Sequence, residues 1–475
     1  MFVEILSCTT LKKNLISIRT LGMVLGIVLC IILWNTPITG LSFDGQKCLA
    51  LILGAMVWWV TGVSSPGFTA LGLLSSFYIF LDKSLVPAEL IFKPWTTATI
   101  YLVVGGFLLA YAVEKSGLGK RFSLFFLSRF ANSWRSIIIC CYVLGALLSI
   151  LIPHPWPRSF LLMSIMNCAM HSSELPEDGK AQIGLAIFAG SVPSSMILLT
   201  GDSTLNVLVG SFANVNIGYF DWILYMGLPA LLACTLTCTL QLLLFRQPWE
   251  FTLDKDFLAE QRNSLGKMSW DEKKVSFWIC LAVILWMTAS LHGIHPGWVG
   301  LWTSIALSLP VIGDILDVEA WKKVHIGTLF FLVAAISIGT VSQATGLIDW
   351  IVTIINHWIF PSDPLLFALF ALGVCMCSHL VFGSAIAVLG AITPIIIKVG
   401  SAAGISPIVC SMIAYTAIVL HWVLPMHHVN LLVGLGKNEG GYTEHDVLRF
   451  GSAQTIVVVL VCIAEILWWT FIGLI

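Results

Sequence analysis

The chain has 475 residues, of which 58% are hydrophobic and only 10% are charged. An ordinary soluble domain has about 25% charged residues, so the composition excludes that class. The net charge of −1 excludes the basic surface that nucleic-acid binding needs, and no nucleic acid is expected as a partner. The hydrophobic residues fall into many runs of about 17 to 25 residues, the length that crosses a bilayer. The sequence therefore predicts an all-α polytopic membrane protein.

The first apolar run, residues 21–33, follows Lys12, Lys13 and Arg19 and could be mistaken for a secretory signal. No small-residue cleavage site comes after it, and further apolar runs follow directly. We therefore predict that residues 1–40 form an N-terminal cytoplasmic segment and the first membrane span.

The first half, residues 41–245, contains three further spans and then a basic amphipathic segment at 117–130, which is typical of a helix lying along the membrane surface. A hairpin is predicted at about 136–170, because the run Pro-His-Pro-Trp-Pro-Arg at 153–158 interrupts an apolar region. Each of its two apolar arms has too few residues to cross a bilayer. This predicts a re-entrant hairpin with its tip near the middle of the membrane.

A broken helix is predicted at about 181–215, where the polar run Gly-Asp-Ser-Thr at 201–204 interrupts an apolar segment. Backbone without helical structure is tolerated at membrane depth only where it lines a cavity or is buried in protein. One more span follows. Residues 246–274, which carry both signs of charge, are then predicted to be a cytoplasmic linker.

The second half, residues 275–475, repeats this order, with a hairpin at about 364–399 and a broken helix at about 405–436. The motif Asn-x-Leu-Val-Gly begins at Asn206 in the first half and at Asn430 in the second. The polar runs before it differ, Gly-Asp-Ser-Thr in one half and Pro-Met-His-His in the other. Two broken helices at matched positions are the best sequence indication of a transporter's binding site.

The orientation follows from the positions of lysine and arginine. They precede the first span, follow the fourth span and fill the central linker, which places these segments and the N-terminus in the cytoplasm. With about 11 transmembrane helices, the two halves become inverted repeats. The first hairpin then enters from the cytoplasm and the second from outside. We predict a multi-pass protein of the inner or plasma membrane of the cell.

The hairpin tips and the breaks leave helix ends near the membrane midplane. Helix N-termini carry about half a positive charge and exposed N–H groups, which suit an anion. Carbonyl groups at helix C-termini suit a small cation such as sodium. Four such tips that converge would form a site for an anion with one or more cations beside it.

At these residues the sequence resembles the divalent anion/sodium symporter family, which carries di- and tricarboxylates or sulfate. The resemblance covers most of the chain. In that family the hairpin tips read Ser-Asn-Thr about ten residues before a proline, and here Ser384-Ala385-Ile386 precedes Pro394. Both breaks keep their asparagine. The first tip departs from the family, because Pro-Trp-Pro at 155–157 replaces its motif.

The resemblance implies a secondary active transporter of a small divalent anion that works by alternating access, with sodium or protons as the coupling ion and no other cofactor. It also implies a homodimer. The alternative functions are a cation/proton antiporter and an anion exchanger of related architecture. Arg158 favours the anion carriers, because a cation pathway has little use for a buried positive charge.

The predicted site lies at the two hairpin tips and the two breaks. The predicted substrate-binding residues are His154, Arg158, Asn206, Ser384, Ala385, His427, His428 and Asn430. The predicted cation-binding residues are Gly201, Asp202, Ser203, Thr204, Asn206, Gly383, Ser384 and Asn430. No catalytic residue and no metal site are predicted.

Arg158 is the most unusual residue, because an arginine near the bilayer centre costs roughly 2.5–3.5 kcal/mol on insertion scales. Its planar guanidinium suits bidentate binding of a carboxylate or sulfate. Alternatively, the tip lies at a shallower depth and Arg158 reaches cytoplasmic water, or it pairs with Asp202. Asp202 either binds a cation or proton, or only neutralises Arg158.

For His427 and His428 the alternatives are proton carriage or an anion hydrogen bond, and a neutral imidazole that caps the break. His154, at the other tip, has the same alternatives. The amides of Asn206 and Asn430 can close backbone groups freed by the breaks and still offer an oxygen to a cation.

An enzyme is not expected. The sequence has no HExxH or GxSxG motif, no paired intramembrane aspartates and no nucleotide-binding loop. A zinc site from His421, His427 and His428 is not predicted, because no cysteine or carboxylate accompanies them.

Overall fold

The described part of the chain is built from helices. The structure is a computed structural model and describes residues 2–131, 133–171, 176–245, 255–355, 360–436 and 439–475. The helices of the first half are α1 (Phe2–Asn35), α2 (Phe43–Thr61), α3 (Pro66–Phe80), α4 (Ala88–Ile91), α5 (Ala98–Ser116), α6 (Leu118–Phe130), α7 (Trp134–Leu151), α8 (Pro155–His171), α9 (Glu177–Phe188), α10 (Ser191–Ser195), α11 (Asn206–Ala213), α12 (Tyr219–Trp222) and α13 (Leu228–Leu244). Those of the second half are α14 (Lys255–Ser264), α15 (Trp270–Met287), α16 (Ala289–His292), α17 (Pro296–Ser308), α18 (Val318–Lys322), α19 (Ile326–Ala344), α20 (Leu347–Ile355), α21 (Pro364–Phe382), α22 (Ala385–Ala402), α23 (Pro407–Val419), α24 (Val429–Val433) and α25 (Glu444–Phe471).

Eight helical segments of the described residues are long and apolar enough to cross a membrane. They are α2, α5, α7, the continuous segment Tyr219–Leu244, α19, α21, α22 and α25. Three shorter apolar helices accompany them, at Arg19–Asn35, Pro66–Phe80 and Pro407–Val419. The prediction of an all-α polytopic membrane protein is confirmed.

Two pairs of consecutive helices, α7–α8 and α21–α22, form hairpins. Their arms contain 17 to 19 residues. At 1.5 Å per residue such an arm is about 26–28 Å long, close to the roughly 30 Å hydrocarbon core. The expectation that the arms of the first hairpin are too short to cross a bilayer is therefore wrong for α7, which is long and apolar enough, and stays a prediction for α8. The second arm of the first hairpin is longer than expected because Pro155 and Pro157 stand in the first turn of α8, where proline is tolerated.

Each hairpin tip contacts a helix break. In the first half, residues 196–205 separate α10 from α11, and the N–H of Ser203 donates to the carbonyl of Pro153 at the hairpin tip (3.2 Å). In the second half, residues 420–428 separate α23 from α24, apart from a short 3-10 turn. The tips thus end inside the protein, which is the geometry expected of re-entrant hairpins.

The predicted linker is partly helical and packs on the first half. Residues 246–254 lie outside the described residues, but α14 follows them and α15 already begins at Trp270. From α6, the guanidinium of Arg121 donates to both carboxylate oxygens of Glu272 (2.6 and 3.0 Å). It also donates to the carbonyls of Leu265 and Gly266. These bonds fix the start of the second half against α6 of the first.

Gly451 in α25 is a point of close backbone approach. A Cβ at this position would lie 1.9 Å from the carbonyl oxygen of Trp422. Gly227, which has the same position in the first half, would place its Cβ 3.3 Å from the side chain of Ile223. The two glycines therefore differ in what a methyl group would meet.

We expect Gly451→Ala to lower the melting temperature by several degrees or to prevent folding, because a backbone carbonyl cannot move aside cheaply. Gly227→Ala is the matched control and should stay near the wild-type value, since its nearest neighbour is a side chain. Thermal melting followed by size-exclusion chromatography compares them. Equal melting temperatures of the two variants would contradict the close approach of Gly451 to the Trp422 carbonyl.

Candidate substrate and cation site

A cavity of about 560 Å³, called the central cavity below, lies where both hairpin tips and both helix breaks meet. It is also lined by residues before and at the start of α3 and α19. The predicted site residues that line it are His154, Asp202, Thr204, Ser384, Ala385 and His428. The remaining predicted residues are Arg158, Gly201, Ser203, Asn206, Gly383, His427 and Asn430, which lie outside this lining.

Two helix N-termini face the cavity. The first residues of α8 and the first residues of α22 both belong to its lining. Since the N-terminus of a helix carries a partial positive charge, both ends favour an anion. The start of α8 offers fewer N–H groups, because Pro155 and Pro157 have none and that of Trp156 donates to His154. The rest of the wall is largely apolar, with Trp156, Phe331 and Leu432 among its members.

Arg158 is completely buried and its guanidinium is surrounded by oxygen atoms. Nη1 donates to the carbonyls of Ile152 and Gly201, both at 3.2 Å. Nη2 donates to the carbonyl of Ser191 (3.4 Å) and to Oγ of Ser195 (2.5 Å). The side chain therefore joins the first hairpin, the first break and α10, and it does not reach water.

Asp202 does not form an ion pair with Arg158 in the described part of the chain. Its Oδ1 accepts the N–H groups of Thr204 (2.9 Å) and Leu205 (3.1 Å), just before α11 begins. The hydroxyl groups of Ser203 and Thr204 are buried and have no hydrogen-bond partner among the described residues. A carboxylate and two free hydroxyls at one break remain compatible with the predicted cation binding.

The two asparagines at the breaks are used differently. Asn206 donates to the carbonyls of Ser195 (2.9 Å) and Leu198 (2.8 Å), and its Oδ1 accepts the hydroxyl of Tyr415 (2.5 Å). Asn430 donates to the carbonyl of Phe188 (2.5 Å) and to Oγ of Ser191.

The Oδ1 of Asn430 is buried without a partner among the described residues. Both polar atoms of the Asn206 amide have hydrogen-bond partners within the fold, whereas the oxygen of the Asn430 amide has none among the described residues. Of the two asparagines, Asn430 therefore has the freer acceptor for a ligand.

The predicted histidines cap local backbone. Nδ1 of His428 accepts the N–H of Asn430 (3.3 Å), and Nδ1 of His154 accepts that of Trp156 (3.3 Å). Nδ1 of His427 accepts the N–H of Val423 (3.1 Å). The capping role is thus observed for all three, and an additional role toward an anion or proton stays a prediction.

Residues 17–475 match the family model described as the sodium:sulfate symporter transmembrane region. The chain belongs to this family. Membership confirms the resemblance found in the sequence, and it makes the chain a multi-pass membrane transporter rather than an enzyme.

Two curated relatives have sequences similar to this chain. A membrane protein of Cupriavidus necator is 23% identical over 465 residues, covering 91% of this chain and 89% of that protein. The sodium-dependent dicarboxylate transporter SdcS of Staphylococcus aureus (strain USA300) is 23% identical over 372 residues, covering 72% of this chain and 70% of that protein. Among solved structures, the Alcanivorax borkumensis YdaH transporter has a TM-score of 0.48 at 14% identity, with coverage of 97% of this chain and 98% of that chain.

A second cavity of the protein, of about 400 Å³, reaches the first break from another direction. Asn206 belongs to its lining, together with residues around the start of α5 such as Thr97. The central cavity is lined instead by Val324 and His325. The preceding residue, Lys323, places its Nζ 3.6 Å from Oε1 of Glu114, which lies at the other end of α5. The two cavities therefore lie toward opposite ends of α5, and the segment Leu205–Asn206 lies between them.

Two buried ionisable side chains, His379 and Glu465, were not predicted from the sequence to belong to a site. His379 in α21 lies beside His421 and His427, and ring nitrogens of all three lie within 4.8 Å of one another. Glu465 in α25 is completely buried and accepts the hydroxyl of Thr416 (2.6 Å). An ionisable residue inside an apolar span is itself a functional signal, and both residues could have been found by it.

Proposed function

We propose that this symporter carries a small dicarboxylate across the membrane by alternating access, with the anion bound in the central cavity. The single observation that carries the proposal is the meeting of two hairpin tips and two helix breaks at one cavity. The positive ends of α8 and α22 would bind the carboxylates, helped by His154, Ser384 and His428. The dicarboxylate named for the Staphylococcus aureus relative supports this substrate class.

Alternating access is supported by the two cavities on either side of the first break. We propose that the N-terminus lies in the cytoplasm, so that the central cavity faces the cytoplasm and the second cavity faces outside. The two inverted repeats and the homodimer remain predictions. Cysteines introduced at Ser65 and Thr97, tested with impermeant thiol reagents from each side, would establish the orientation.

The surroundings of Arg158 favour anion exchange as a second candidate function. Three backbone carbonyls and a hydroxyl are the kind of oxygen ligands that bind sodium in transporters, and here a guanidinium occupies them. A charge that belongs to the chain cannot be released with the substrate. The part of the protein that carries Arg158 would move its binding site across the membrane more readily when a bound anion neutralises this charge. Exchange requires this preference, because the empty site then returns slowly.

Uptake of radiolabelled succinate and sulfate into proteoliposomes tests both candidates. We expect succinate uptake, faster when the vesicles contain unlabelled succinate than when they are empty. Replacing sodium by choline at fixed pH then measures how far transport depends on sodium. Sulfate uptake without succinate uptake would contradict the substrate class, and equal uptake by empty and loaded vesicles would contradict exchange.

A further inference from the structure

Three histidines from the second half converge beside the central cavity. His379 lies in the last turn of α21, which is the first arm of the second hairpin. His421 follows directly after α23, and His427 lies in the 3-10 turn of the second break. Their exposures are 0%, 2% and 0%. Each has one buried ring nitrogen without a partner among the described residues: Nδ1 of His379, Nδ1 of His421 and Nε2 of His427.

The hydrogen bonds determine which nitrogen carries the proton in two of the rings. Nε2 of His379 lies 3.1 Å from the carbonyl of His427, which can only accept, so Nε2 is protonated and Nδ1 keeps a free lone pair. Nδ1 of His427 accepts the N–H groups of Val423 and Leu424, so its proton is on Nε2. A free lone pair and an N–H group therefore belong to neighbouring rings.

This pattern disfavours a metal ion. A divalent metal held by three histidines needs a lone pair from each ring. His427 would have to lose its Nε2 proton while Nδ1 still accepts two backbone amides. A proton needs only the free lone pair of His379, and a second ring nitrogen can then accept from the new N–H group.

Further ionisable side chains lie near the cluster among the described residues. His428, on the same break, and His154, at the tip of the first hairpin, both line the central cavity. On α21, Cys375 lies one turn before His379, and on α25 Glu465 accepts the hydroxyl of Thr416, which precedes His421 by five residues. A bound proton would add a positive charge to this buried region, which is costly without a counter-charge. An anion in the adjacent cavity supplies that counter-charge.

We propose that His379, His421 and His427 form a proton-binding site, in which the free Nδ1 of His379 takes a proton when an anion occupies the central cavity. The inference rests on the proposed transport function and names its coupling ion. Binding of the anion and of the proton then favour each other by the same factor. The chain would move one proton with each anion.

The test uses full-length protein in sodium-free proteoliposomes that contain pyranine as a pH indicator. The membrane potential is held at zero with valinomycin and equal potassium on both sides. For the wild type we expect external succinate to acidify the vesicle interior. A one-unit pH gradient should drive about a tenfold accumulation of succinate if one proton moves with each anion.

The informative variant is His379→Gln, because glutamine can still donate to the carbonyl of His427 but has no basic nitrogen. It should keep succinate exchange and lose both the proton flux and the accumulation driven by the pH gradient. His445→Gln is the matched control, since His445 is exposed at the start of α25, and it should behave as wild type.

The outcomes separate the two proposals. If the wild type neither takes up nor exchanges a dicarboxylate, the proposed function fails and the proton site with it. If the wild type transports succinate without proton flux, or His379→Gln retains the pH dependence, only the proton site is overturned. Stoichiometric zinc in the wild type that is lost in His379→Gln also overturns it. If His379→Gln does not fold, the wild-type proton flux and His421→Gln decide the question.

Discussion

Replacing Arg158 by alanine is expected to abolish anion uptake and to lower the melting temperature by several degrees. The change removes a buried positive charge and leaves three backbone carbonyls and the hydroxyl of Ser195 without this donor. The Ser191 carbonyl still accepts the hydroxyls of Ser194 and Ser195, so the loss falls on the carbonyls of Ile152 and Gly201. A buried acceptor without a partner costs about 1–3 kcal/mol, so two such carbonyls cost several kcal/mol. Arg158→Lys should be less damaging, because an ammonium keeps the charge and part of the hydrogen bonding.

Uptake of succinate and thermal melting measure the effect of Arg158→Ala, with Arg129→Ala as the control, since Arg129 is exposed on α6. The freed oxygens should also admit a cation. We therefore expect sodium to raise the melting temperature of Arg158→Ala and to leave that of the wild type unchanged. Normal uptake in Arg158→Ala would remove this residue from the transport mechanism.

Alanine at Asn430 and alanine at Asn206 are expected to have different consequences. Asn206→Ala removes the partner of the Ser195 carbonyl and of the Tyr415 hydroxyl, and one of the two donors to the Leu198 carbonyl, so it should cause the larger loss of stability. Asn430→Ala removes the amide whose oxygen is free for a ligand, so it should cause the larger loss of uptake, roughly tenfold or more.

The two variants are compared by their response to succinate. A ligand that binds the folded state raises the melting temperature, so a variant that still binds should be stabilised by succinate. We expect this stabilisation for Asn206→Ala and its absence for Asn430→Ala. Stabilisation of both variants would assign Asn430 a structural role alone.

The two hairpins and the two breaks could be predicted because the sequence pattern that indicates them occurs twice. The shared motif at Asn206 and Asn430 and the order of the polar interruptions indicated two breaks and two hairpins. Arm length could not be predicted by counting apolar residues, because helix α7 begins at Trp134, where Ser133 caps it, before the apolar run starts. Local capping therefore extended the helix beyond the hydrophobic signal.

The site was predicted less completely than the fold. Arg158 could be recognised as an unusual residue from its neighbours in sequence, but its partners could not be predicted, because α10 was not anticipated and supplies Ser191 and Ser195. The histidine cluster combines His379 with residues more than forty positions away. Such contacts depend on how α21 packs against α23, which a single sequence does not encode locally.

The bonds made by the two asparagines also have a mechanical consequence. Asn430 in the second half holds the carbonyl of Phe188 in the first, while Tyr415 in the second half holds Asn206 in the first. A shift of either break would therefore have to break one of these hydrogen bonds or move the other break with it. We therefore expect the hairpins and breaks to travel together as one rigid body past α3, α5 and α19, with the bending confined to the connecting segments.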